Sequence, residues 1–352
     1  VNTSSTLCVT IEMKNLMPLP RLGLGMAALG RPGYINLDRD LVFGSSSGSS
    51  DSNSVRSIKD MQAQANLVLD TLFQTQTKNT PWVDCARSYG LSEKFVGEYL
   101  RKNNIQPCDV YVSSKWGYSY VADWKVQLEA GKPHEVKDHS VDNFLKQFEE
   151  TTNILGDYIN LYQIHSATFE SGVLDNNDVH QALYKCKKEK GISIGLSVSS
   201  PKQDEVIQKA MAIEINDIDG NKKLFDSVQC TFNILEQRPA LILLKAYEAG
   251  LDIIIKEGMA NGRVLQHPIL QEYSNKLSCS PDQLALAVIL AQPFQPRVLS
   301  GAVTSEQLQS NLKAEMIAEQ LKEDPNLLTT IMERTRQDSE EYWSDRSMLA
   351  WN

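Results

Sequence analysis

The residues most able to do chemistry sit close together in Asp84-Cys85-Ala86-Arg87-Ser88-Tyr89-Gly90, where an acid precedes a tyrosine by five positions. A phenol ordinarily titrates near about 10, so at neutral pH it exchanges a proton readily only beside a cation. A lone lysine, Lys115, ends the β-branched and aromatic run Val110-Tyr111-Val112-Ser113-Ser114, and a histidine, His165, ends a second run, Ile159-Asn160-Leu161-Tyr162-Gln163-Ile164. Taken singly, each has a structural explanation: Asp84 as a loop cap, Lys115 as a solvated strand end, His165 as a satisfied core histidine. Together, on successive strand ends, they form a proton-transfer site.

The elements that position them follow from hydrophobic periodicity. Trp82-Val83 reads as the end of a buried strand, and Ser92-Glu93 precedes the amphipathic run Phe95, Val96, Tyr99, Leu100, so the residues between occupy a strand-to-helix loop. The alternation predicts strands at 22–29, 81–84, 109–115, 158–165, 191–198, 225–232, 252–255 and 297–302. It predicts helices at 58–73, 92–102, 140–154, 178–189, 201–213, 238–249, 268–277, 282–291 and 304–321. Eight such units close into a (β/α)8 TIM barrel, one α/β domain over residues 1–352 whose chemistry lies at the C-terminal strand ends. To this are added an N-terminal hairpin within 8–29, a Ser/Gly-rich insertion at 31–57, a long catalytic-face loop at 117–138 and a C-terminal helical tail at 324–352. The long loop carries Tyr118, Tyr120, Trp124 and His134, which suit a substrate wall.

Composition narrows the function. A hydrophobic content of 41% supports a large core, and a net charge of -9 argues against nucleic acid or an anionic membrane as partner. No apolar run approaches the roughly 20 residues of a membrane span. The six cysteines, Cys8, Cys85, Cys108, Cys186, Cys230 and Cys279, lack any C-x-x-C pair and read as reduced core residues. The expected compartment is the cytoplasm, or an organelle if a targeting segment upstream of Val1 has been removed. His134, His139, His180 and His267 have no acid or cysteine at ligand spacing, so the sequence offers no metal site.

Asp84-x-Ala86-x-x-Tyr89-Gly90-x-Ser92-Glu93, with strands ending in Lys115 and His165, resembles the aldo-keto reductase superfamily over most of the chain. The resemblance implies a nicotinamide cofactor lying across the barrel mouth and hydride transfer to an aldehyde or ketone, or from the matching alcohol or sugar. Tyr89 is then the general acid/base, Lys115 lowers its pKa, Asp84 holds Lys115, and His165 orients the carbonyl. By the same likeness, Gly25, Met26, Ala27 and Asp84 approach the cofactor. Ser197 and Gln229 bind its carboxamide, and Lys256, Glu257, Met259, Asn261, Gly262 and Arg263 line its middle. Gly301, Val303, Gln307 and Asn311 hold its adenosine end, while Trp116, Tyr118 and Trp124 wall the substrate.

Three departures accompany the likeness. Val198 replaces an asparagine, and Lys256-Glu257-Gly258-Met259 replaces a stacking aromatic followed by Ser-Pro-Leu. Gly301 and Gln307 stand where many members place a lysine and an arginine for the 2′-phosphate. The implied cofactor is NADP, with NAD as the alternative. The altered seventh strand supports a second reading, a cofactor-binding regulatory subunit resembling the potassium-channel β subunits.

Overall fold

The structure, a computed structural model, describes residues 19–37, 42–43 and 56–352. Eight parallel strands form a closed barrel: β1 (Leu22–Gly25), β2 (Trp82–Asp84), β3 (Tyr111–Trp116), β4 (Ile159–Ala167), β5 (Ser193–Val198), β6 (Ser227–Thr231), β7 (Asp252–Lys256) and β8 (Arg297–Ser300). They pair in chain order, and β8 returns to β1 with Leu22 opposite Val298.

Around the barrel lie α1 (Ile58–Thr75), α2 (Ser92–Lys102), α3 (Val141–Leu155), α4 (Asn177–Lys190), α5 (Gln203–Met211), α6 (Ala240–Glu248), α7 (Pro268–Lys276), α8 (Pro281–Leu290), α9 (Ser305–Leu312) and α10 (Ala314–Glu323). The tail adds α11 (Pro325–Thr335) and α12 (Ser339–Ser347). The helix expected over 304–321 is thus two helices, broken at Lys313.

Local sequence explains the element ends. Ser57 and Ser140 accept hydrogen bonds from backbone N–H groups of α1 and α3, which caps their first turns. Helix α8 starts with Pro281 and a Ser280/Gln283 capping box. Its residues Leu284 to Leu290 are all buried, as an all-apolar helix requires. The main core lies between strands and helices, while Trp82, Leu161, Ile254 and Leu299 form a smaller cluster of their own.

The expected N-terminal hairpin and the Ser/Gly-rich insertion lie largely outside the described residues. Two antiparallel hairpins were not foreseen: Tyr118–Tyr120 pairs with Glu135–Lys137, and Glu214–Asp217 pairs with Gly220–Lys223. The first gives the long loop at 117–138 a rigid stem. The cysteine reading needs one correction. Cys85, Cys186 and Cys230 are buried thiols, but Cys108 is exposed, because it sits in a short 3-10 turn (Pro107–Asp109) before β3 and outside the core. Among the described residues no helix is long and apolar enough to cross a membrane, and no three side chains are grouped to hold a metal.

Candidate active site

Parallel pairing sets Asp84 beside Ser113 and Lys115 beside Gln163, and alternation turns alternate side chains to the barrel interior. Asp84 is buried, and its two oxygens divide the work. One accepts from Ser113 Oγ at 2.7 Å, Gln163 Nε2 at 3.3 Å and Gln229 Nε2 at 3.4 Å; the other takes a short, charge-assisted hydrogen bond from Lys115. Lys115 Nζ also donates to the Cys85 carbonyl at 3.0 Å. A fully buried ammonium is therefore matched by one carboxylate and one carbonyl.

Tyr89 lies above this pair. Its ring centroid is 4.7 Å from Lys115 Nζ and 5.3 Å from the imidazole of His165, which meets it edge on. The four residues expected to share a site do share one. Their electrostatics differ from expectation in one respect. Burial first, then the negative charge of Asp84, pushes the phenol well above its ordinary pKa. The Lys115 ammonium stands over the ring, paired with Asp84. Burial also holds His165 well below its usual pKa, with Lys115, Lys256 and Arg31 acting in the same direction, so the imidazole is neutral. Its Nδ1 lies 3.3 Å from Ser88 Oγ.

The histidine owes its direction to a bulge. The β4–β5 register shifts between Ile164 and Ala167, and Ser166 adopts a left-handed φ of 51°. Two backbone-level ties hold the bulge: Ser166 N–H donates to Ser197 Oγ at 2.9 Å, and His139 Nε2 lies 2.9 Å from the His165 carbonyl.

A cavity of about 1260 Å³ opens from these residues along β7 and β8. Gly25, Ala27, Asp84, Tyr89, Tyr118, His165 and Gln229 line its inner end. Lys256, Glu257, Met259, Asn261, Gly262 and Arg263 line its middle, and Gly301, Val303, Gln307 and Asn311 its far end. Three of these groups carry a buried polar atom with no partner among the described residues: Gln229 Oε1, Asn261 Oδ1 and Arg263 Nη2. An amide acceptor, a second amide acceptor and a guanidinium donor along one groove match the carboxamide, hydroxyls and phosphates of a dinucleotide. The residues present thus fit a nicotinamide cofactor.

Four expected contacts are corrected. Met26 is fully buried in the core with its backbone N–H on the Asp84 carbonyl, because alternation from Gly25 turns its side chain outward. Trp116 follows Lys115 and so faces the opposite way, packing on Phe144 at 5.0 Å and His139 at 5.7 Å. Trp124 donates to the Arg56 carbonyl at 2.8 Å and packs on Phe95, away from the cavity. Ser197 supports the Ser166 backbone instead of lining the groove.

Other lining groups escaped the sequence reading. Arg31 forms a close ion pair with Glu135 and donates to the Ser88 carbonyl at 3.0 Å, with its guanidinium 5.3 Å from the Tyr89 ring and 4.8 Å from that of Trp351. The available signal was a pair of glycines: a Cβ on Gly30 would meet the Tyr89 carbonyl at 2.3 Å, and one on Gly90, at φ +60°, would meet the Gly30 carbonyl at 2.5 Å. The two loops touch backbone to backbone, which brings Arg31 against Tyr89.

The tail reaches the same mouth. Arg346 of α12 holds Glu257 bidentately, with Nε 2.8 Å and Nη2 2.5 Å from its oxygens. Burial alone would raise the Glu257 carboxyl, but Arg346 and Lys256 outweigh it and take it down to about 2. Trp351 stacks on His134 at 4.0 Å, and Asn352 exchanges backbone hydrogen bonds with Tyr34.

A family model described as the aldo/keto reductase family matches residues 40–327. The chain belongs to that family. Its members are NAD(P)-dependent oxidoreductases, and the fold comparisons agree. An aldo-keto reductase from Bacillus halodurans, AKR11C1 in its holo form, superposes with a TM-score of 0.60 at 19% identity, over 88% of this chain and 92% of that one. A variant of Gox0644 in complex with NADPH gives a TM-score of 0.58 at 17% identity, with 91% of each chain covered. An uncharacterised oxidoreductase of Bacillus subtilis (strain 168), YqkF, is 23% identical over 190 residues, 46% of this chain. That match spans 56% of the relative's own length.

Proposed function

We propose that this aldo/keto reductase reduces an aldehyde or ketone with a nicotinamide cofactor, Tyr89 supplying the proton. A bound reduced nicotinamide would supply the hydride, with its electron pair, to the carbonyl carbon, while the oxygen would take the Tyr89 proton. The products are an alcohol and the oxidised cofactor. The observation that carries the reading is the Lys115–Asp84 pair beneath the Tyr89 ring, beside a neutral His165, at the inner end of a groove lined by orphaned polar atoms.

Each side chain has one task. A phenol with a raised pKa keeps its proton across neutral pH and is a donor at the moment an alkoxide forms. A neutral imidazole donates one N–H to the carbonyl oxygen and fixes its place. Lys115 and Asp84 set a positive charge under the ring without leaving it unmatched. Gln229 is suited to the carboxamide, and Asn261, Gly262 and Arg263 to the pyrophosphate.

For the dinucleotide, the NADPH complex of Gox0644 supports NADP. Asp282 and Glu306 line the far end of the cavity beside Gln307 and Asn311, and favour NAD instead. Fluorescence titration with NADPH and NADH, followed by a panel of aldehydes and sugars, tests the whole reading. Turnover is expected in the wild type; in Tyr89→Phe it falls by about 10²–10⁴-fold with cofactor affinity retained. Saturable cofactor binding with no turnover on any carbonyl would instead establish the regulatory-subunit reading that the β7 sequence favours.

A further inference from the structure

We propose that the cavity selects a carbonyl compound carrying its own negative charge, a carboxylate or phosphate, which Lys137, Ser166, Ser199 and Lys256 bind beside His165. This rests on the reductase reading and names its substrate class. Lys256 Nζ donates to Ser199 Oγ at 2.7 Å and to Thr231 Oγ1 at 3.2 Å, while Lys137 Nζ donates to the Ser166 carbonyl at 3.0 Å. Ser166 Oγ and Ser199 Oγ, 3.3 Å apart, join the two lysines into one row, and all four residues line the cavity with His165.

The charge count is what points to an anion. The carboxylates along this wall are committed elsewhere: Asp84 to Lys115, Glu135 to Arg31, Glu257 to Arg346. Neither Lys137 nor Lys256 forms an ion pair among the described residues: Lys256 meets the Ser199 and Thr231 hydroxyls, and the exposed Lys137 meets the Ser166 carbonyl and the Tyr118 ring. The half-buried Lys256 ammonium is hydrogen-bonded only to hydroxyls, since Arg346 holds the neighbouring Glu257 carboxylate, and an arriving anion gives it a bonded counter-charge while the two hydroxyls turn to donate. Burial lowers both ammonium groups, Lys256 to about 8, against the opposing negative charge of Glu257 at Lys256 and of Glu170 at Lys137.

Position sets the size of the substrate. Ser166 follows His165 in the chain, and adjacent Cα atoms lie about 3.8 Å apart, so the anion and the carbonyl belong to one short molecule, such as a small oxo acid. A phosphate of the dinucleotide is the other source of negative charge. That role is already suited to Arg263, whose Nη2 has no hydrogen-bond partner among the described residues.

The test compares glyoxylate and 4-oxobutanoate with their methyl esters, in the wild type, Lys137→Met and Lys256→Met, alongside NADPH titration of each protein. The acid-to-ester ratio of kcat/KM should fall about tenfold or more in Lys256→Met and several-fold in Lys137→Met, through KM. Calorimetry should show malonate binding to the wild type and not to the double variant. Unchanged ratios, or malonate binding that survives both substitutions, overturn the proposal. So does a loss shared equally by acids and esters that tracks NADPH affinity, which assigns the lysines to the cofactor. A wild type active on esters but not acids removes the anion subsite and leaves the reductase; one inactive on both and on neutral aldehydes removes the reductase reading itself.

Discussion

On the β2 and β3 side of the barrel mouth, the buried charges are matched within the barrel: Lys115 by Asp84, and Asp84 in turn by Ser113, Gln163 and Gln229. On the β7 side, Glu257 is held bidentately by Arg346, which arrives from the last helix nearly ninety positions later, with Lys256 adding to its field, and Lys256 itself is hydrogen-bonded to hydroxyls alone among the described residues. The first side is fixed by the closure of the sheet. The second depends on an appended segment and on what enters the cavity. Substitutions should therefore act differently on the two sides.

The strongest break comes at Lys115. Lys115→Met leaves Asp84 buried with an unmatched charge, and should cost about 3–5 kcal/mol of stability as well as most turnover. Adding Asp84→Asn should return much of the melting temperature but none of the activity. A single variant that melts like the wild type would show that the pair is not the anchor of this side.

The β7 side should fail through pH instead. Glu257 is depressed to about 2, so its contribution is complete above its unfolded value near about 4.3 and fades as pH falls toward 2. The shift corresponds to something on the order of 3 kcal/mol, and Glu257→Gln should flatten the acid unfolding curve over that window. Identical curves for both proteins between those pH values would remove the tail's role at β7.

A smaller effect is expected where the groove holds its orphaned atoms. Gln229→Leu should weaken dinucleotide affinity by about 1–2 kcal/mol, seen by fluorescence, beyond whatever melting it loses with its hydrogen bond to Asp84. The smallest is at the rim. Trp351→Ala removes one face from Arg31, worth about 0.5–1 kcal/mol, and should alter KM among bulky aldehydes while leaving cofactor affinity alone. If Trp351→Ala affected cofactor affinity more than Gln229→Leu did, the division between the two regions would be misplaced.

The sequence was most legible where function coincides with periodicity. Asp84, Lys115 and His165 lie at or within two residues of the C-terminal ends of strands of strong apolar character, so their shared location follows once the strands are recognised. The family likeness misled at Met26, Trp116 and Ser197, where the candidate lay one position from a lining neighbour or on the supporting side of a bulge. A shift of one residue in a strand exchanges cavity for core. Arg31, Glu135 and Arg346 were not legible. They come from a loop, a hairpin and a terminal helix that meet only after the barrel has closed, and no local pattern records such a meeting. The departure at Lys256 was visible, but its hydroxyl partners on β5 and β6 were not.

The strap from α12 to Glu257 has a consequence for how the molecule comes apart. Helix α12 buries only Tyr342 fully, so it belongs to the part of the fold that opens at least cost. Mild denaturant should then detach it while the cylinder of strands persists, leaving a population that is folded by circular dichroism yet blind to its ligand. Ligand recognition and global folding would part company along the denaturation curve, with recognition lost first.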